Sequence, residues 1–312
     1  MALRLDRLIT LHFVSPLHRL RLRVQPAIPI LMYHSIAEAN ESKTHAYYRT
    51  ATSPATFASQ MEHLHSRGYR TCTVAQVRTL LESDPEFAAR TVAITFDDGY
   101  RDFHLNAFPV LQKYGFTATM FLPTAFIGDT MLQFKGRDCM TWSEVRELQQ
   151  CGVLFGSHTV THPQLRDLDN GSIGREIADS KSAIEQKTGC AVSTFAYPYA
   201  FPQRDAEFKK QLRVALSRAG YLSGVCTTLG RATSYSDQFF MERLPVNSLD
   251  DSALFQAKLS GAYDWMAKPQ SVLKAAKIWK SSGARSHNGA TTPPEPAEPP
   301  TANSRETDKT QV

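Results

Sequence analysis

Apolar residues along this chain fall into two alternating patterns. Short continuous apolar runs, rich in β-branched and aromatic residues, occupy positions 28–33, 92–96, 118–122, 153–156, 194–197 and 224–226. Such runs read as strands buried on both faces. Between them, apolar residues recur every three or four positions, as in Phe57, Met61 and Leu64 or Val145 and Leu148. That spacing predicts helices with one buried stripe. Their starts carry recognisable signals: Ser53-Pro54, Thr73 before Val74, Val77 and Leu80-Leu81, and Thr141 or Ser143. Further helical patterns run over 106–114 and 172–188, the latter stopped by Gly189, and another ends near Ala219-Gly220. Repeated β-then-α units imply a parallel sheet flanked by helices. Periodicity fits a closed barrel and an open doubly wound sheet equally well. No repeat of solenoid period is present.

At 312 residues and 42% hydrophobic composition, the chain can bury the core of one barrel-sized domain with tails, or of two small ones. No apolar run approaches the roughly 18–20 residues of a membrane span. The formal net charge is +5, but residues 1–24 hold five arginines against Asp6, a surplus of four. The nearly neutral remainder argues against a nucleic-acid-binding body. The basic N-terminal extension, residues 1–26, makes a poor secretory signal, because His12 and Pro16 interrupt its apolar stretch and Arg19, Arg21 and Arg23 follow. It reads as a flexible extension, or as a basic amphipathic segment in peripheral contact with a membrane. A cytoplasmic or membrane-peripheral location is expected. From Ser281 to the end the composition is Pro-, Ser-, Thr- and Glu-rich, so residues 281–312 are expected to be disordered. The cysteines, Cys72, Cys139, Cys151, Cys190 and Cys226, are scattered and odd in number. They indicate small buried or half-buried thiols rather than a disulfide framework or thiolate metal site, and weakly favour a reducing compartment.

Candidate chemistry concentrates at Thr95-Phe96-Asp97-Asp98-Gly99-Tyr100, where two carboxylates follow a strand. Acidic groups at the C-terminal ends of parallel strands lie where α/β folds place their sites. Neighbours on an extended chain point different ways, so one carboxylate can hold a metal while the other faces water. Farther on, His158 and His162 are four residues apart, one turn apart if that segment is helical. One carboxylate, two imidazoles and a spare acid outline a metal-assisted hydrolase.

Three ordered motifs make the chain similar to the NodB-type polysaccharide deacetylases, carbohydrate esterase family 4. They are the apolar lead into Thr95-Phe96-Asp97-Asp98-Gly99, His158-Thr159-Val160-Thr161-His162, and Phe195-Ala196-Tyr197-Pro198-Tyr199, with Ala200 where glycine is usual. The resemblance covers roughly residues 27 to 265 and implies an α/β fold, a distorted, incomplete (β/α) barrel, within a catalytic domain at 27–270. It implies Asp98, His158 and His162 as ligands of one divalent ion; nitrogen and oxygen donors suit zinc, and cobalt or nickel also fit. It implies Asp97 as general base and the Tyr199 turn as source of a backbone N–H for the oxyanion. No late Leu-x-His motif supplies a general acid. The chain instead resembles the poly-N-acetylglucosamine deacetylase branch, in which the histidine of an early Tyr-His motif serves, and His34 fits it. The arginine usual before the Tyr199 turn is absent at Phe195-Ala196. Arg243, which ends another expected strand in Met241-Glu242-Arg243-Leu244-Pro245-Val246, is the candidate replacement that would orient Asp97, against the plainer reading of a surface ion pair. Trp142 and Tyr100 are candidate sugar-stacking surfaces, with core packing the ordinary alternative. The implied activity is metal-dependent removal of N-acetyl groups from an aminosugar oligo- or polysaccharide, or a glycolipid. Two alternatives share these motifs: deformylation or amide hydrolysis on a lipid-linked or non-sugar substrate, and a catalytically inactive carbohydrate-binding protein.

Overall fold

Eight parallel strands carry the architecture of the computed structural model, which describes residues 4–20, 25–41, 44 and 46–272. They are β1 (Ile30–Tyr33), β2 (Arg70–Cys72), β3 (Thr91–Phe96), β4 (Thr119–Leu122), β5 (Leu154–Ser157), β6 (Thr194–Ala196), β7 (Ser223–Leu229) and β8 (Met241–Pro245). Their order is β1-β8-β7-β6-β5-β4-β3-β2, and β1 also pairs with β3, with Ile30 opposite Ala93 and Tyr33 opposite Phe96. That last pairing closes seven strands into a barrel, while β2 extends the wall beside the first half of β3. The structure thus decides for the distorted barrel over the open sheet.

Alternation along each strand divides the core in two. Leu31, Val92, Ile94, Phe96, Met120 and Leu122 belong to a large cluster shared with the helices, whereas Ile30, Ala93, Phe121, Ala196, Val225 and Met241 belong to a second, smaller one. On β3 the alternation continues through Thr95, so Asp97 follows Ala93 on the face opposite Ile94 and Phe96.

The helices include α1 (Pro54–Ser66), α2 (Val77–Ser83), α3 (Phe108–Lys113), α4 (Trp142–Gln150), α5 (Asn170–Thr188), α6 (Ala206–Arg218) and α7 (Ser252–Ser260). Ser53 caps α1, and Thr141, not Ser143, caps α4 through a reciprocal capping box with Glu144. The α5 helix starts two residues before the expected Ser172 because Asp169 caps it, and it stops at left-handed Gly189. Residues Leu5–Ile9, Thr10–Val14 and Ser15–Arg19 run on as a helical stretch that rests against the α7 region. No helix among the described residues is long and apolar enough to cross a membrane. The tail at 281–312, expected to be disordered, lies outside the described residues.

Candidate active site

At the end of β3 the backbone turns left-handed, with φ of 74° at Asp98 and 65° at Gly99. Gly99 is needed there on two counts: its φ, and a Cβ that would sit 2.8 Å from the Ile127 side chain. This turn, rather than strand alternation alone, separates the two carboxylates. Asp97 points to Arg243, and Asp98 points to the histidines.

The Asp97–Arg243 pair is bidentate, with Nη1 and Nη2 donating to Oδ1 and Oδ2 at 2.7 Å each. Arg243 is fully buried, so the surface ion pair considered above is excluded. Its Nε donates to the Cys226 carbonyl at 3.1 Å and Nη1 also to Thr95 Oγ1 at 3.2 Å, which fixes the guanidinium plane. Burial pushes the Asp97 carboxyl up, but Arg243 and His158 outweigh it and hold it below the ordinary range.

Asp98 Oδ1 lies 3.6 Å from His158 Nε2 and 3.2 Å from His162 Nε2. One donor atom from each residue falls within 4.8 Å of the others, and all three side chains are buried. The Asp98 carboxyl is also held below its usual range, burial being overcome by His162, His34, His158 and Lys135. Its Oδ1 accepts no hydrogen bond although buried. A buried, ionised acceptor facing two ring nitrogens is the donor set a divalent ion satisfies. His158 Nδ1 lies 2.7 Å from the Ala196 carbonyl, which makes Nδ1 the protonated nitrogen and leaves Nε2 with its lone pair. Burial, chiefly, lowers the His158 pKa to about 4, so the ring is neutral and ligand-ready at physiological pH.

The segment bearing both histidines is not the helical turn that the spacing suggested. It is a loop with φ of 69° at Thr159 and 55° at His162, and the two rings meet edge to face at 4.7 Å. Thr159 Oγ1 accepts from the His162 amide at 3.0 Å. Glu176, on α5, accepts from the Val160 and Thr161 amides at 2.8 and 2.9 Å and from the Thr161 hydroxyl at 2.7 Å. Sequence reading missed Glu176, since a lone acid inside an amphipathic helix looks like any solvated one. Gly156 lets β5 pass closely: a Cβ there would lie 2.5 Å from the Phe121 ring.

His34 follows β1, whose pairing with β3 and the 3.0 Å bond from the Asp97 amide to the Tyr33 carbonyl set it beside Asp97. Its ring is half-buried, and burial lowers its pKa against the pull of Asp97 and Asp98. Tyr199 closes the opposite side. Its ring packs edge-on against His162 at 4.5 Å, and its own φ is 58°. The left-handed residue of this turn is thus Tyr199, so Ala200 in place of glycine is accommodated. Four of the five non-glycine residues with positive φ among those described lie in this site: Asp98, Thr159, His162 and Tyr199. Such strain gathers where function over-determines the backbone.

The fifth, Lys135, sits on a hairpin that pairs Phe134 with Arg137, with φ of 51° at Lys135 and 75° at Gly136. Its Nζ stands 3.8 Å from Asp98 Oδ2 and 4.4 Å from the Phe134 ring centroid. A Lys-Gly pair between two short segments is a weak hairpin signal, too weak to place this turn from the sequence. Tyr100 and Trp142 are both buried in the core and offer no stacking surface; Tyr199 is the exposed aromatic at this site. Cys72, Cys139 and Cys226 are buried, whereas Cys151 and Cys190 are exposed rather than buried or half-buried.

The family model for polysaccharide deacetylase matches residues 84–222. The Bacillus subtilis protein YxkH, assigned by name to the polysaccharide deacetylases, is 30% identical over 220 residues, covering 70% of this chain and 71% of that protein. A poly-β-1,6-N-acetyl-D-glucosamine N-deacetylase of Staphylococcus aureus is 24% identical over 235 residues, covering 70% of this chain and 78% of the other. The solved structure of the Streptococcus pyogenes deacetylase PplD, in complex with acetate, superposes with a TM-score of 0.64 at 25% identity, covering 76% of this chain and 99% of that one.

Proposed function

This chain belongs to the polysaccharide deacetylase family, and from that premise we propose that it hydrolyses the N-acetyl group of an aminosugar in an oligo- or polysaccharide, releasing acetate. The observation that carries the reading is the adjacency of two differently wired carboxylates. Asp98 faces the two imidazoles of His158 and His162, and Asp97 is locked to a buried arginine. Asp98, His158 and His162 would hold one divalent ion, with zinc favoured by the donor set and cobalt or nickel compatible. Bound there, it supplies a Lewis acid that polarises the acetyl carbonyl and makes water more acidic.

The remaining chemistry belongs to the protein's own groups. Asp97 is the general base: it stays ionised at neutral pH, and each oxygen keeps a second lone pair beyond the one Arg243 occupies. It takes the proton of the water that attacks the acetyl carbon. Arg243 acts through Asp97, fixing its plane toward the reacting atoms. The Tyr199 amide donates to the oxyanion as charge develops there. His34, beside Asp97, delivers a proton to the departing amine. A base and an acid with separate environments give a bell-shaped dependence of kcat/KM on pH.

The test is acetate release from a panel of N-acetylglucosamine oligomers, before and after chelation and again after added zinc. Release that chelation abolishes and zinc restores is expected. Full release from thoroughly demetallated protein would overturn the mechanism, and no release from any acetylated sugar would overturn the substrate class.

A further inference from the structure

The helical stretch Leu5–Arg19 meets the barrel with its polar side. A surface helix ordinarily turns its apolar stripe to the core and its polar face to water. Here Arg4 donates to the Leu249 carbonyl at 3.0 Å and pairs with Asp250, while Arg7 pairs with Asp251. Tyr263 donates to Asp6 at 2.7 Å, and Trp265 donates to the fully buried Thr10 at 3.0 Å. The side left in solvent is apolar. Leu5, Ile9, Phe13, Leu17 and Leu20 recur at helical intervals, with Phe13 67%, Leu17 66% and Leu20 76% exposed. The other exposed positions between them, His12 and Pro16, bring no fixed charge.

We propose that this face is a docking surface for an anionic lipid bilayer, seated at the boundary between headgroups and acyl chains. Charge complementarity selects that occupant. Asp6 is the sole acid in residues 1–24 and is engaged by Arg4 and Tyr263, whereas in the sequence Arg19, Arg21 and Arg23 flank Leu20, the last residue of the stripe, and Leu22. An apolar stripe with a basic flank is the signature of helices that lie in the membrane interface. Area argues against a second copy of the chain. The strip measures roughly 24 Å by 10 Å, well below the ~800 Å² per partner that a stable pair buries. Because its inward side is tied at four separate points, the helix holds the barrel in a defined attitude to whatever the stripe enters.

The test is sedimentation of the full chain with vesicles of phosphatidylcholine alone and of a three-to-one mixture with phosphatidylglycerol. Binding to the mixed vesicles is expected, weaker binding to the neutral ones, and at least a tenfold loss for Phe13→Glu combined with Leu17→Glu. Both replaced side chains face solvent, so the variant keeps the thermal midpoint of the parent. Failure to sediment with either vesicle would overturn the proposal, as would equal binding by parent and variant. A dimer that the double substitution dissolves, with no vesicle binding, would assign the stripe to a second copy instead.

Discussion

Replacing Arg243 by methionine tests the Asp97–Arg243 pair most directly. The substitution keeps an unbranched side chain in the barrel and removes both 2.7 Å bonds to Asp97. Asp97, 2% exposed, is then a buried carboxylate without a cation. Breaking a buried pair from one side costs about 3–5 kcal/mol. At roughly 2–4 °C per kcal/mol for a domain of this size, Tm falls by on the order of 10 °C. Part of that loss is relieved if Asp97 takes up a proton. At about 1.36 kcal/mol per pKa unit, the same energy corresponds to an upward shift of roughly two to four units. The sign of the pH dependence therefore reverses. In the parent, the depressed Asp97 pKa contributes stability above the unfolded value, near 3.8, and that contribution is lost as pH falls below it. In Arg243→Met the raised pKa makes the protein relatively more stable in mild acid and less stable as pH rises. The acid limb of kcat/KM moves up with it. Adding Asp97→Asn to the variant should recover much of the Tm and none of the activity. Melting curves of the parent and both variants, with pH–rate profiles of the parent and Arg243→Met, decide the matter. A folded Arg243→Met protein whose acid limb coincides with the parent's would refute Asp97 as the base, Arg243 as its positioning residue, or both.

Four further outcomes are expected. His158→Ala should weaken zinc binding by more than the ~10–100-fold that outer-shell partners are worth, as read by calorimetric titration, with the fold retained. His34→Gln should cut deacetylation by about 10²–10⁴ while zinc affinity and Tm stay unchanged; parent-like turnover would remove His34 from the acid role. Gly156→Ala places a Cβ 2.5 Å from the Phe121 ring and 2.7 Å from Thr194 Oγ1, so a loss of about 1–3 kcal/mol by thermal melting is expected. Finally, Arg4 and Tyr263, against the effect of burial, lower the Asp6 pKa to about 2. Its tie to the barrel is complete above the unfolded value of 3.8 and is lost as pH falls toward 2. Trp265 fluorescence, sensitive to the contact with Thr10, should report release of the N-terminal helix in that window, and Asp6→Asn, which has no carboxyl to titrate, should show the weakened contact at every pH without that transition.

Short-range physics made much of this protein readable from the chain. Strand and helix positions follow from periodicity and caps: Ser53, Thr141 and Gly189 mark ends in the structure that they mark in the sequence. The adjacency of Asp97 and Asp98 at a strand end, and the nearness of His158 to His162, are likewise local facts. What depends on closure was not readable. Strand periodicity is the same in an open sheet and a barrel, and only the β1–β3 pairing decides between them. That closure carries Arg243, named in the sequence only as a candidate through the family resemblance and against a surface ion pair, across 146 positions to Asp97, and folding α5 over the loop brings the unanticipated Glu176 to the amides of Val160 and Thr161. The histidine pair met the expected spacing by a different backbone, because Thr159 and His162 adopt left-handed angles that no propensity favours and only the surrounding contacts sustain. Tyr100 and Trp142 went to the core since burial depends on which helix packs where. The inverted N-terminal helix makes the same distinction. Its amphipathic pattern is written in the residues, but which side faces the barrel was decided by the ionic partners Asp250 and Asp251 and the hydroxyl donor Tyr263.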